Sequence, residues 1–338
     1  MPLAPLTYSL NALFWAGLSI WRISHLRKRS CSRWRCIIEG IPLSLIALTA
    51  IVVAAVCVFG LIPSQGASLR GAIYVVDGHR MRIDCEGKGS PTLVLNSGLG
   101  NDGLIWSRVQ TALATTTRVC SYDRAGYGWS DPVGTVRDAN HIAAELHGLL
   151  LNAGIRGPLI LMAHSIAGLY VRDYVNHYPD GVVGLILVDA SAPSQDRSRS
   201  TETDSRSLES CIEQAVFALR LNRLVGACPG SFPGPRLGSD LPFEGVCREH
   251  LDTYAGELRN FDSSSIEAVS DRSYGALPIL ILSRGTTDKS WNNKQEEMTR
   301  LSADAHRIIA TGSSHYVQLD SPELVVNQVR LFIERLRR

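Results

Sequence analysis

The apolar positions of this chain change period several times, and each change marks an element. An apolar run over Ala72 to Val76 and an alternating apolar/polar run over His79 to Cys85 stand on either side of Asp77-Gly78. That is the pattern of two strands joined by a tight hairpin turn. A short apolar strand follows at Thr92 to Leu95, then the loop Asn96-Ser97-Gly98-Leu99-Gly100, a helix over Leu104 to Leu113 and a strand over Arg118 to Tyr122. From about Asn140, the residues Ile142, Leu146, Leu149 and Leu150 recur at helical spacing. A buried strand from Leu159, a helix to Tyr178 and a strand from Val183 to Val188, ending in Asp189, extend the series. After a gap it resumes with the strand Pro278 to Leu282, a helix around Trp291 to Leu301, the strand His306 to Ala310 and a closing helix from Pro322 to Leu336. Strands alternating with helices after an initial hairpin predict an α/β fold, in which a mostly parallel central sheet carries helices on both faces.

Two stretches depart from this rhythm. Between residues 191 and 276 the alternation stops: a polar run (Ser194 to Ser210) precedes an amphipathic helix (Cys211 to Val225), a Pro/Gly-rich loop (Pro229 to Pro242) and further helix (Val246 to Val269). This is a helical insertion within a domain spanning residues 71–338. At the other end, Ile41 to Ile62 carries no charge and is long enough to cross the hydrocarbon core of a bilayer. It is expected to be a transmembrane helix, since a soluble helix apolar on every side is rare, and residues 63–70 then form a linker. Residues 1–40 hold a weaker apolar run at 3–21, which could be a further span, followed by Arg22, Arg27, Lys28, Arg29, Arg33 and Arg35. The positive-inside rule places that basic segment in the cytoplasm and the 71–338 domain on the extracytoplasmic side.

Composition adds little to this outline. The net charge is +2 with basic residues gathered in one short run, so nothing favours a nucleic-acid partner. Of eight cysteines, Cys85, Cys120, Cys211, Cys228 and Cys247 follow the apolar span, and an oxidising compartment would permit disulfides among them. No Cys/His cluster suggests a metal site, and no motif calls for a cofactor.

The candidate chemistry begins at Leu159 to Tyr170, where an apolar strand runs through Ala163-His164-Ser165-Ile166-Ala167 straight into a helical pattern. A serine on a sharp strand-to-helix bend between small residues has the form of a nucleophile elbow, whose usual pattern is G-x-S-x-G. Here both flanks are alanine, which preserves smallness although alanine tolerates a positive φ less well than glycine.

With the Gly98 loop, the segment Asp123-Arg124-Ala125-Gly126-Tyr127-Gly128-Trp129-Ser130, the elbow and the late Gly312-Ser313-Ser314-His315-Tyr316, in that order, the chain resembles the α/β-hydrolase superfamily. It is most similar to membrane-anchored bacterial serine hydrolases with a helical lid, from about Ala72 to the C-terminus. The resemblance implies Ser165 as nucleophile and His315 as its base. It offers two positions for the acid, Asp288 in Gly285-Thr286-Thr287-Asp288, which is preferred, and Asp189 as the alternative. It also implies oxyanion donors at the backbone N–H groups of Leu99 and Ile166, a structural role for Asp123 to Ser130, and the insertion as a lid. Cys85 and Cys120 would fall on neighbouring strands of that fold and could form a disulfide, and two of Cys211, Cys228 and Cys247 could staple the lid. The implied activity is hydrolysis of a small, apolar carboxylic ester through an acyl-enzyme, with no cofactor. Members that use a carboxylate nucleophile are disfavoured by Ser165. Peroxidase-like or lyase members, which keep the triad, and a catalytically silent binding protein remain as alternatives.

Overall fold

Eight strands pair into one sheet in the order β1-β2-β4-β3-β5-β6-β7-β8. They are β1 (Ala72–Val76), β2 (His79–Glu86), β3 (Thr92–Asn96), β4 (Val119–Tyr122), β5 (Leu159–His164), β6 (Val182–Val188), β7 (Ile279–Arg284) and β8 (Ala305–Ala310). The first two are antiparallel to each other and β2 is antiparallel to β4. From β4 across to β8 every pairing is parallel. This computed structural model describes residues 70–193, 251–269 and 273–338. The apolar runs at 3–21 and 41–62, the 63–69 part of the linker, Cys211, Cys228, Cys247 and most of the insertion lie outside the described residues. Among the described residues no helix is long and apolar enough to cross a membrane.

The central strands read as unbroken apolar runs because both of their faces are covered. Side chains of a strand alternate between faces, and the two cores divide accordingly. Leu159, Leu161 and Ala163 of β5 join Leu185 and Leu187 of β6 in one core, against α2 (Ala139–Asn152) and α3 (Ala167–His177). Ile160 and Met162 join Ile186 and Val188 in the other, against α1 (Ser107–Leu113) and the closing helix α8 (Pro322–Leu336). The remaining described helices are α4 (Leu251–Arg259) and α5 (Phe261–Glu267) in the insertion, α6 (Lys289–Glu297), and the short α7 (Val317–Asp320).

Three boundaries differ from the periodicity for identifiable reasons. The helix expected over Leu104 to Leu113 opens as a 3₁₀ turn, Gly103–Trp106, because the Asp102 carboxylate accepts the Leu104 N–H at 2.9 Å. The helix expected from Trp291 begins two residues earlier, where Asp288 caps it. In the described part of the insertion, the continuous helix expected to Val269 breaks at Asn260 into α4 and α5.

Register places Cys85 of β2 opposite Cys120 of β4, and the two form a disulfide across a Cα–Cα distance of 4.0 Å. The bond closes a loop with a sequence separation of 35 residues that includes β3 and α1. Restricting the unfolded chain by such a loop stabilises a domain by about 3–4 kcal/mol. Replacing both cysteines by serine is therefore expected to lower unfolding stability by about that amount, read as a shift of the denaturation midpoint, and wild type kept in reductant should approach the same value.

Candidate active site

Parallel strands bring their C-terminal ends to one side of a sheet, and the loops leaving that side hold the usual sites of α/β folds. Here β3 delivers the Gly98 loop, β5 delivers Ser165, β6 delivers Asp189, and the loop after β8 delivers His315. Ser165 lies between the end of β5 and the start of α3 with φ +56°, in the left-handed region that disfavours side chains. Three backbone bonds hold it there: its N–H donates to Val188 O (3.3 Å), and its carbonyl accepts from Gly168 N (3.0 Å) and Ser191 N (2.8 Å). Ala163 and Ala167 are completely buried, which explains the need for small flanks. Neither has a positive φ, so alanine serves as well as glycine. The next position is stricter, for a Cβ on Gly168 would sit 2.7 Å from that of Ala190.

The imidazole of His315 spans two partners. Its Nε2 lies 2.8 Å from Ser165 Oγ and its Nδ1 lies 2.6 Å from Asp189 Oδ2. Asp189 is fully buried at the end of β6, itself at φ +40°. Burial pushes its carboxyl pKa up. The His315 hydrogen bond and charge, the Trp291 indole N–H and the Arg284 backbone N–H outweigh that, and the net shift is downward. Those two further donors reach Oδ1 at 2.9 and 3.1 Å respectively. An ionised Asp189 can only accept, so His315 carries its proton on Nδ1. In neutral imidazole Nε2 then offers a lone pair to the Ser165 hydroxyl.

Asp288, the preferred acid on sequence grounds, does not reach His315. Its carboxylate accepts from the N–H groups of Ser290 (2.9 Å) and Trp291 (3.2 Å) and caps α6. The helix it caps presents the Trp291 indole to Asp189. Trp291 itself carried no signal in the sequence beyond lying three residues after a capping residue, and its part in holding Asp189 escaped that reading.

His164 is buried beside the site, boxed by Trp106 and Tyr316 with ring centroids 6.5 and 5.2 Å away. Desolvation, and then the nearby His315 charge, lower its pKa to about 3, so it stays neutral. Its Nε2 donates to the carbonyl of His315 (2.9 Å), which anchors the loop carrying that residue. The Gly98 loop is built on the buried Asn96, whose amide donates to Val94 O and Met162 O, both at 3.1 Å, while its oxygen accepts from Tyr122 (2.8 Å). Ser97 Oγ donates to Asp102 O at 2.8 Å, which anchors the loop. Gly98 passes so close to the elbow that a Cβ there would meet His164 Nδ1 at 2.7 Å and Ser165 Cβ at 3.1 Å. Among the described residues, neither Leu99 N–H nor Ile166 N–H donates to a backbone carbonyl.

The Asp123 to Ser130 segment braces this loop from below. Asp123 is fully buried and accepts from Gly103 N (2.8 Å), Arg82 Nη1 (3.2 Å) and Trp129 N (3.0 Å). Gly126 and Gly128 take φ values of +83° and +52°, and a Cβ on the latter would strike Asp123 Oδ2 at 2.3 Å.

The sequence matches the alpha/beta hydrolase family over residues 93–328. The chain belongs to that family. Among curated proteins it is similar to 2-(acetamidomethylene)succinate hydrolase of Mesorhizobium japonicum, at 24% identity over 77% of this chain and 94% of that protein. It is also 24% identical to the probable transporter efuK of Hormonema carpetanum, covering 73% of this chain. The chain spans about two fifths of the length of the first curated relatives it matches, 40% in the case of efuK. Among solved structures, a thermophilic esterase from Thermogutta terrifontis superposes with a TM-score of 0.58 at 20% identity, over 81% of this chain and all of that one (100%). That likeness shows the shared fold. As a family member the chain is a hydrolase in fold, and no group of His, Cys, Asp or Glu suited to a metal ion occurs among the described residues.

Two of the perturbed groups, His164 and Asp189, destabilise the fold in acid. Unfolded His164 takes up a proton near its ordinary pKa of 6.5, whereas the folded side chain resists down to about 3. Protons therefore favour the unfolded chain increasingly as pH falls below 6.5. Asp189, with its pKa lowered, contributes stability above the ordinary carboxylate range and loses it below. Urea midpoints measured from pH 8 to pH 4 should fall on the acid side, and His164→Gln should flatten the part of the fall between about pH 6.5 and pH 4.5.

Proposed function

We propose that this chain is a serine hydrolase that cleaves small, apolar carboxylic esters through an acyl-enzyme. In this reading residues 41–62 anchor it in a membrane and the catalytic domain lies on the extracytoplasmic side. The observation that carries the chemistry is the continuous hydrogen-bonded chain from Ser165 Oγ through His315 to the buried Asp189. A serine hydroxyl is a weak nucleophile until a base takes its proton. His315 Nε2 stands at the right distance to do so as Oγ attacks an ester carbonyl. The imidazolium that forms is stabilised by Asp189, which stays ionised and keeps the proton on Nδ1. His315 then returns its proton to the departing alcohol, leaving an acyl group on Ser165. Water, activated by the same imidazole, releases the acid. The negative charge on the tetrahedral oxygen at each stage needs pre-aimed donors, and in this reading the backbone N–H groups of Leu99 and Ile166 supply them. A carboxylate nucleophile, as in other branches of the fold, has no place at the elbow. Fold alone does not establish the reaction, so the assignment rests on these groups.

Hydrolysis of p-nitrophenyl esters of increasing acyl length by the full chain in detergent tests the proposal. Ser165→Ala, His315→Ala and Asp189→Asn should each lower kcat/KM by about 10³-fold or more and slow fluorophosphonate labelling in parallel, with Ser165→Ala abolishing it. Asp288→Ala should retain activity within about tenfold and lose about 1 kcal/mol of stability with its helix cap. A folded wild type that neither turns over esters nor takes up fluorophosphonate would overturn the proposal in favour of a silent binding protein. Loss of activity in Asp288→Ala but not in Asp189→Asn would reverse the choice of acid.

A further inference from the structure

A second buried assembly lies just behind the nucleophile. Arg124, which follows β4, and Glu257, on insertion helix α4, are 2% and 0% exposed. They meet fork to fork, with Nε to Oε1 at 2.9 Å and Nη2 to Oε2 at 3.0 Å. Tyr170 of α3 donates its hydroxyl to Glu257 Oε2 at 3.2 Å, and the guanidinium lies over the rings of Tyr127 and Tyr170 at 4.8 and 5.5 Å. The desolvation of two charges makes such a pair a weak source of stability, and an apolar pair of like volume would pack as well. The distinctive feature is where the other guanidinium N–H groups go. Nη1 donates to the carbonyl of Ser97, and Nη2 donates at 2.9 Å to the carbonyl of Gly98.

A trans peptide is planar, and its C=O and N–H point in opposite directions. Holding the Gly98 carbonyl therefore fixes the direction of the Leu99 N–H, and holding the Ser97 carbonyl fixes the peptide before it. A cation on the carbonyl also polarises that peptide and strengthens its N–H as a donor. The Gly98 carbonyl accepts one further, longer bond from Asn101 N at 3.3 Å, so Arg124 is its principal partner. Because Gly98 abuts Ser165, the peptide being aimed is the one beside the nucleophile.

We infer that Arg124, locked by Glu257 of the insertion, is a positioning residue that aims the Leu99 N–H at the oxyanion. The inference rests on the serine-hydrolase reading and adds a task for the insertion: it supplies the carboxylate that orients part of the oxyanion hole. Glu257 thereby ties the Gly98 loop to α4 and, through Tyr170, to α3.

The test compares three variants of the full chain with wild type: Arg124→Lys, which keeps the charge and loses the fork; Arg124→Met with Glu257→Leu, which leaves no charge unpaired; and Tyr170→Phe, which only loosens Glu257. The readouts are kcat and KM for a p-nitrophenyl ester, and affinity for a trifluoromethyl ketone against its methyl ketone counterpart. The trifluoromethyl ketone adds Ser165 across its carbonyl, and the oxygen so formed occupies the oxyanion position, which the unreacted methyl ketone does not charge. The first two variants are expected to lose about 10²-fold in kcat and in trifluoromethyl ketone affinity, with KM and methyl ketone affinity nearly unchanged. Tyr170→Phe should lose several-fold in the same two quantities, and it carries the test if the others do not fold. Folded variants whose two ketone affinities fall together, or do not fall, overturn the inference. Absence of Ser165-dependent hydrolysis in wild type instead refutes the hydrolase reading on which it stands.

Discussion

Two side-chain-bearing residues at the ends of adjacent parallel strands are held in left-handed backbone, and much of the site depends on that constraint. Ser165 after β5 and Asp189 after β6 have φ values of +56° and +40°. Apart from Asp77 in the hairpin turn, they are the non-glycine residues with positive φ among the described residues. Each such conformation costs on the order of 1–3 kcal/mol and persists only where its surroundings over-determine it. Here they brace each other. Ser165 donates to Val188, the residue before Asp189, and accepts from Ser191, two residues after it, while Asp189 N–H donates to Leu282 of β7 at 2.7 Å. The two bends lift both side chains above the sheet edge, where a single imidazole touches both.

Beneath this surface the polar groups are sorted by burial into charged and neutral. Asp189 is ionised because three donors converge on it. His164, one residue from Ser165, is kept neutral by its burial in the aromatic box and by its neighbour His315. It therefore holds the His315 loop by a hydrogen bond without placing a second positive charge beside the imidazole. The Arg124–Glu257 pair adds a cation next to the Gly98 loop, balanced by its own carboxylate. This arrangement aligns dipoles around Ser165 and leaves the His315 side chain 29% exposed beside it.

The choice between two candidate carboxylates turns on contacts remote in sequence. Asp288 and Asp189 each follow a strand of the sheet, and local sequence does not separate a carboxylate turned toward a histidine from one turned toward a helix N-terminus. An aspartate ahead of a helical pattern satisfies the free N–H groups of the first turn, and Asp288 does so. Asp189 was legible as the polar end of an apolar run, yet its partners Trp291 and His315 come from 102 and 126 residues away. Arg124 was visible inside a glycine-rich segment read as structural, but its target carbonyls and Glu257, 133 residues away, were not.

The sequence by itself determined the alternation of strands and helices, the sharp serine bend, the order of the motifs and the family they belong to. These properties are encoded in neighbouring residues through periodicity, turn chemistry and the need for small side chains at a tight bend. Which carboxylate meets His315, how Ser97 anchors the loop and what the Arg124 fork holds were decided only by the tertiary structure. Such contacts join chain segments whose separation in sequence carries no trace of their distance in space. They depend on strand order, on register and on a few hydrogen bonds whose alternatives differ little in local energy.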